Sequence, residues 1–233
     1  MTDEGAVVVV GGTRAIGFEI AKHYVEAGHE VVLTGQSREA VDAAVAALDG
    51  RATGLVFDLA NPGSIAPALA AVGPVHHLVL VAIDRDQNAI REYDIAGATR
   101  LTTLKLVGYA EVVHALLDRL DESSSIVMFG GQARFLPYVG STTVTTVNGG
   151  VEGLTRALVH ELKPIRVNCI HPGIVGNSPY WENRQAALDA TRARTPTGRL
   201  VTMADIVAAT AFLLESPALN GVELRVDGGL HAT

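Results

Sequence analysis

Residues 6–17 read AVVVVGGTRAIG. Ala6–Val10 ends in four consecutive valines, β-branched residues that favour strands. Gly11 and Gly12 close the run. Apolar residues then recur at helical spacing over residues 16–27, and Gly28 stops the pattern. A strand, a glycine turn and a helix in succession let the backbone approach a pyrophosphate. The helix N-terminus adds free N–H groups and a partial positive charge. Glycines alone only make turns; their place between strand and helix is what points to a dinucleotide.

The same alternation continues outward. Residues 30–34 read as a strand and 38–48 as an alanine-rich helix ended by Asp49-Gly50. A strand at 55–57 leads to a helix opening at Asn61-Pro62, a cap followed by a proline at the first helical position. Further strands are expected at 78–82, 125–129, 165–170 and 222–226. Strands that are apolar throughout, each followed by a helix, argue for a parallel sheet covered on both faces. Right-handed crossovers then give an α/β fold: a single-domain, Rossmann-type, doubly wound parallel sheet over residues 1–233, with helices on both faces. No repeat or linker interrupts it.

Bulk properties exclude several classes. A chain of 233 residues with 48% hydrophobic and 18% charged residues is no disordered protein. A net charge of -7 argues against nucleic acid as a partner. The single cysteine, Cys169, lies in an apolar run, which suggests a buried, inert thiol and a reducing compartment. The acidic start MTDEG is unlike a signal peptide, and the longest apolar run, 78–83, is far short of the ~20 residues that span a bilayer. A cytoplasmic protein without membrane contact is expected. The eight histidines show no metal-site spacing, and no Ser–His–Asp set can be assigned.

The end of the second strand selects the cofactor. An NAD site places an acid about 20 residues beyond the glycines to hold the ribose 2′-hydroxyl. Here the stretch is Thr34-Gly35-Gln36-Ser37-Arg38, without an acid. Arg38, Ser37 and Arg14 are suited to a 2′-phosphate, so NADP(H) is expected ahead of NAD(H).

At this point the chain resembles the short-chain dehydrogenase/reductase family over almost its whole length. Its glycine turn is similar to that family's TGxxxGxG pattern, with Val10 for the threonine and Ala15 for the middle glycine. Asp58-Leu59 resembles the adenine-contacting segment after the third strand, and His171-Pro172-Gly173-Ile174-Val175 the Pro-Gly segment beside the nicotinamide. Gly198-Arg199-Leu200, Asp205-Ile206, Asn220-Gly221 and Val226-Asp227-Gly228-Gly229 are similar to the family's C-terminal third. The resemblance implies cofactor contacts at Gly11, Thr13, Arg14, Ile16, Gly17, Gln36, Ser37, Arg38, Asp58, Leu59, Ala82, Pro172, Gly173 and Val175. It also implies a substrate lid over residues 176–200, with Tyr180 and Trp181 on its apolar face, and a homodimer or homotetramer.

The family's catalytic set is Asn, Ser, Tyr and Lys. The Tyr moves a proton, the Lys holds the nicotinamide ribose, the Ser holds the substrate oxygen and the Asn supports a relay water. Anchored on residues 151–156, VEGLTR, the Lys position falls on Asn148 and the Tyr position on Val144. The Ser position falls on Gly131 and the Asn position on Lys105. No Tyr-x-x-x-Lys occurs anywhere in the chain.

Three residues are candidates for the missing chemistry. Lys105, if partly buried, could act as a general acid or form a Schiff base. Tyr138 lies on the loop that borders the substrate in the family. Asn148 can hydrogen-bond a ribose hydroxyl. Asp84 and Asp86 follow the fourth strand at its carboxyl edge, where α/β sheets place ligands. Three functions stay open: an NADPH-dependent reductase of a small, mostly apolar organic substrate with an unusual proton source; a non-redox cyclase, isomerase or lyase on the same scaffold; and an NADPH-binding regulatory protein without turnover.

Overall fold

The computed structural model describes residues 5–84 and 86–232. The start Met1–Glu4, on which the expectation of no signal peptide rests, lies outside them. Seven strands are present: β1 (Ala6–Val10), β2 (Val31–Gly35), β3 (Ala52–Val56), β4 (Val75–Leu80), β5 (Leu120–Phe129), β6 (Arg166–Pro172) and β7 (Glu223–Val226). They form one sheet in the order β3-β2-β1-β4-β5-β6-β7, and every neighbouring pair is parallel.

Helices α1 (Ala15–Glu26), α2 (Arg38–Ala47), α3 (Ile65–Leu69), α4 (Ile95–Thr102), α5 (Tyr109–Leu116), α6 (Thr142–Glu161), α7 (Gln185–Arg194) and α8 (Met203–Glu215) complete the fold. The valines of β1 show how the layers are built. Alternate strand residues point to opposite faces. Val8 and Val10 join one core with Val112 of α5 and Val151 of α6. Val7 and Val9 join another with Ile20 of α1, Val41 of α2 and Leu213 of α8. An unbroken valine run is therefore what a strand buried on both faces requires.

The differences from the sequence pattern are local. Asn61 occupies the cap position before Pro62, but its side chain makes no capping bond. One 3₁₀ turn follows, then the five-residue α3, which contains Pro67 and its missing N–H. β4 ends at Leu80 because the N–H groups of Val81 and Ala82 both turn to Val10 O, at 3.1 Å each. β5 starts at Leu120, earlier than its apolar run, because residues 121–123 are polar and exposed.

Between α4 and α5 the backbone continues as a π-helical segment, Thr103–Gly108. Such wide turns often accompany functional sites. Gly108 packs on the third-strand loop so closely that a Cβ would stand 2.5 Å from Leu59 O. Cys169 is buried and unpaired, and burial pushes its thiol up to about 11. No helix among the described residues is long and apolar enough to cross a membrane.

Candidate functional site

A cleft of about 730 Å³ opens at the carboxyl ends of β1, β2 and β4. The connections diverge between β1 and β4, the position where open α/β sheets bind ligands. Gly11, Thr13, Arg14, Ile16 and Gly17 line it from the first turn. Gln36 and Ser37 line it from the end of β2, Leu59 and Ala82 from the loops after β3 and β4, and Tyr180 from the far side. The sequence named all ten.

The glycines are there for space. A Cβ on Gly17 would meet Gly11 O at 2.0 Å, and one on Gly11 would meet the Ala82 Cα at 2.7 Å. Gly11 has φ +93°, a left-handed value that suits glycine. Arg14, the N-cap of α1, makes no side-chain capping bond. The first-turn N–H groups of a twelve-residue helix thus open on a cradle shaped for an anionic group.

Other expected contacts lie elsewhere. Arg38 begins α2 and pairs with Asp42 at 3.5 Å, both mostly exposed. Pro172, Gly173 and Val175 do not line the cleft. The Gly173 N–H donates to Val226 O at 2.8 Å and Val175 is bridged to Val201, so this segment is drawn toward β7 and the loop before α8. Asp58 is held by Arg100, whose Nη1 lies 3.0 Å from Asp58 Oδ2 and whose Nε lies 2.9 Å from Asp84 Oδ2. Within 176–200, Ser178, Pro179 and Tyr180 reach the cleft; Trp181 stacks edge-on behind Tyr180 at 4.9 Å.

The candidate chemical groups do not converge on the cleft. Lys105 is 1% exposed, and its ammonium donates to Phe129 O at the end of β5. Tyr138 is 55% exposed on its loop. Asn148 is buried beside Gly131, where a Cβ would meet Asn148 Nδ2 at 2.7 Å, and its Oδ1 has no hydrogen-bond partner among the described residues. Val144 lies in an apolar cluster with Leu101 and Val147, packed by Ile83 and Ala133. Asp84 lines the cleft; the carboxylate oxygens of Asp86 are buried without a hydrogen bond among the described residues.

The threonines that open α6 have a local explanation. Thr145 Oγ1 lies 3.0 Å from Ala133 O and 2.9 Å from Ser141 Oγ, and Thr146 Oγ1 donates to Thr142 O at 2.8 Å. The Thr145 hydroxyl ties the helix start to the loop after β5, while that of Thr146 bonds back within the helix.

That loop carries the groups sequence reasoning missed. The Gly131 N–H donates to His171 Nδ1 at 3.2 Å, so the ring proton belongs on Nε2, 3.4 Å from Cys169 Sγ. Burial, then the Arg134 charge, pulls His171 down to about 4. Arg134 pairs with buried Glu152 and, at 2.9 Å, with Glu223. The Phe135 ring meets the guanidinium groups of Arg134, at 4.6 Å, and Arg225, at 3.9 Å. Partners so far apart along the chain leave no periodic signal. Among the described residues no cluster of His, Cys, Asp or Glu could hold a metal ion.

Known proteins resemble this chain over nearly its whole length. The profile of the enoyl-(acyl carrier protein) reductase family matches residues 10–231. Carbonyl reductase family member 4 of Danio rerio is 31% identical, with 96% of this chain and 97% of that protein aligned. The 3-oxoacyl-[acyl-carrier-protein] reductase of Vibrio cholerae is 29% identical over 99% of both. The structure of MalC reductase/Diels-Alderase from Malbranchea aurantiaca superposes with a TM-score of 0.90 at 26% identity, covering 97% of this chain and 96% of that one.

Proposed function

The chain belongs to the short-chain dehydrogenase/reductase family of oxidoreductases, and from that premise we propose that it binds NADP(H) and reduces a small, mostly apolar substrate carrying an already activated double bond. The observation that carries this reading is the cleft itself: an uncapped helix N-terminus over Gly11 and Gly17, with Gln36 and Ser37 in place of an acid after β2. Gly11, Thr13, Ile16 and Gly17 would hold the pyrophosphate, and Arg14 and Ser37 the 2′-phosphate. The bound nicotinamide supplies hydride.

The chain's own residues determine what accompanies that transfer. A ketone needs a proton at its oxygen, and a positioned donor typically accelerates such steps by roughly 10²–10⁴. The positions matching the family's Ser, Tyr and Lys hold Gly131, Val144 and Asn148, none of which donates a proton at neutral pH. Val144 packs into a buried apolar cluster with Leu101 and Val147, so the position matching the Tyr supplies no polar group at all. A cationic carbon–nitrogen double bond, as in an iminium ion, accepts hydride without protonation, so this site suits it better than a ketone. Residues 176–200 act as the lid, with Tyr180 excluding water from the cleft. The exposed apolar side chains of Val107 and Phe212 support assembly as a homodimer or homotetramer.

One observation favours a second reading. The protein from Malbranchea aurantiaca with the same fold is described as both a reductase and a Diels-Alderase, which supports a cyclisation without net hydride transfer in the same cleft.

The test is a titration of NADPH and NADH followed by Trp181 fluorescence and by calorimetry. Tighter binding of NADPH, followed by oxidation of NADPH with a cyclic iminium substrate and not with the matching ketone, is the expected result. Absence of binding by either nucleotide overturns the reductase reading, and binding without hydride transfer to any C=N or C=O substrate moves the assignment to the cyclisation.

A further inference from the structure

Two aromatic residues line the cleft, Phe57 and Tyr180. Phe57 belongs to the buried core. Tyr180 stands on the 3₁₀ turn Pro179–Trp181, none of whose residues is buried. The chain before this turn is fixed: the Gly176 N–H donates to Val201 O and the Met203 N–H to Asn177 Oδ1, at 2.8 Å each. The chain after it is fixed by α7, whose Leu188 is buried. Between these anchors Arg184, the N-cap residue of α7, reaches back to the turn. Its Nη1 donates to Tyr180 Oη at 2.9 Å. Its guanidinium carbon lies 4.4 Å from the centre of the Tyr180 ring and 5.8 Å from that of Trp181. Trp181 meets Tyr180 edge-on at 4.9 Å, so one cation serves both rings. The Arg184 backbone N–H donates to Trp181 O at 2.9 Å, which makes guanidinium and rings parts of a single tight turn.

Resting on the reading of residues 176–200 as the lid of a dinucleotide cleft, we propose that Arg184 is a positioning residue that latches Tyr180 over the cleft and gates the ligand. Tyr180 and the glycine turn line the same cleft, so a molecule that fills it passes Tyr180. The ring swings aside only by giving up the hydrogen bond and the cation–π contact. At an exposed site, contacts of these two kinds together bias a position by roughly tenfold. Arg184 is exposed and does not line the cleft, so it acts on the ligand through Tyr180. The latch is made wholly within the chain and asks nothing of the ligand. A contact that does not favour the bound state shifts no binding equilibrium. It slows entry and exit alike, which is what a gate does.

The experiment is stopped-flow mixing and displacement of NADPH, read by the nucleotide's own fluorescence, with calorimetry for the affinity. The proteins are the wild type, Arg184→Ala, Arg184→Met, Arg184→Lys, Tyr180→Ala and the double variant Arg184→Ala/Tyr180→Ala. The methionine variant keeps the side-chain stem should the alanine variant be poorly behaved. In Arg184→Ala and Arg184→Met, association and dissociation should both quicken by roughly tenfold while the affinity stays within about threefold. Arg184→Lys keeps a cation and a donor and should recover part of the slow exchange. Removing Arg184 from Tyr180→Ala should change the rates no further, because Arg184 acts through that ring. Rates equal to those of the wild type in both Arg184→Ala and Arg184→Met overturn the proposal and leave the dinucleotide reading in place. An affinity loss of about tenfold or more, or an Arg184 effect that survives in Tyr180→Ala, also overturns it, because Arg184 then touches the ligand directly. Failure of NADPH to bind any of the proteins overturns the dinucleotide reading, and this proposal with it.

Discussion

Gly17 faces the carbonyl of Gly11 with no room for a side chain: a Cβ at position 17 would stand 2.0 Å from that oxygen. Gly11 is itself crowded, since a Cβ on it would stand 2.7 Å from the Ala82 Cα. Gly17→Ala should therefore push the first turn of α1 out of the cleft. The expected outcome is a loss of nucleotide affinity of about tenfold or more, with a fall in stability of about 1–3 kcal/mol from overpacking. Calorimetric titration and urea denaturation of the same sample read both.

Ala15 presents the opposite situation. It has φ 47°, a left-handed value at which a Cβ crowds the backbone by roughly 1–2 kcal/mol. Ala15→Gly relieves that strain and returns about 0.4–1 kcal/mol of chain entropy to the unfolded state. The balance predicts a gain between roughly zero and 1.6 kcal/mol. A clear drop in the urea midpoint would show that the alanine side chain stabilises the turn in another way.

The order of elements was legible because β1 and the glycine turn combine two strong local signals, a β-branched run and a backbone that needs space. The same logic located Gly11, Thr13, Arg14, Ile16 and Gly17 in the cleft. Arg100 was not legible. It lies on the polar side of an ordinary helix, and its partners Asp58 and Asp84 are 42 and 16 residues away. Lys105 shows a related limit: its apolar flanks foretold burial, but not whether the ammonium would face the cleft or Phe129 O.

That difference separates Lys105 from Tyr138. Lys105→Ala removes the donor to Phe129 O and empties a fully buried site. The expected loss is about 2–4 kcal/mol, from the cavity and the unanswered carbonyl together. Lys105→Met keeps the volume and should recover roughly half of it. Tyr138→Phe changes one atom on an exposed loop and should stay within about 0.5 kcal/mol. Turnover per folded molecule in Tyr138→Phe should equal that of the wild type. A large drop there would give Tyr138 a chemical role that its exposed position does not suggest.

Two buried histidines set the acid limit of the fold. Burial, reinforced by the charges of His76, Arg166 and His29, pulls His77 down to about 3; burial and Arg134 pull His171 down to about 4. Both are nearly inaccessible to solvent. In the unfolded chain each titrates near 6.5. The unfolded state therefore binds more protons below that pH, so stability is full above 6.5 and falls as the solution is acidified toward 4. Each histidine removes about 2 kcal/mol by pH 5. Urea midpoints at pH 7.5 and pH 5 should differ by their sum, about 4 kcal/mol once multiplied by the slope. His77→Leu should remove about half of that dependence. A midpoint that stays level between the two pH values would mean that both rings gain a proton in the folded protein; a fall of half the expected size would mean that one does, most readily His171, whose Nε2 would then carry its proton beside Cys169 while Nδ1 released the Gly131 N–H.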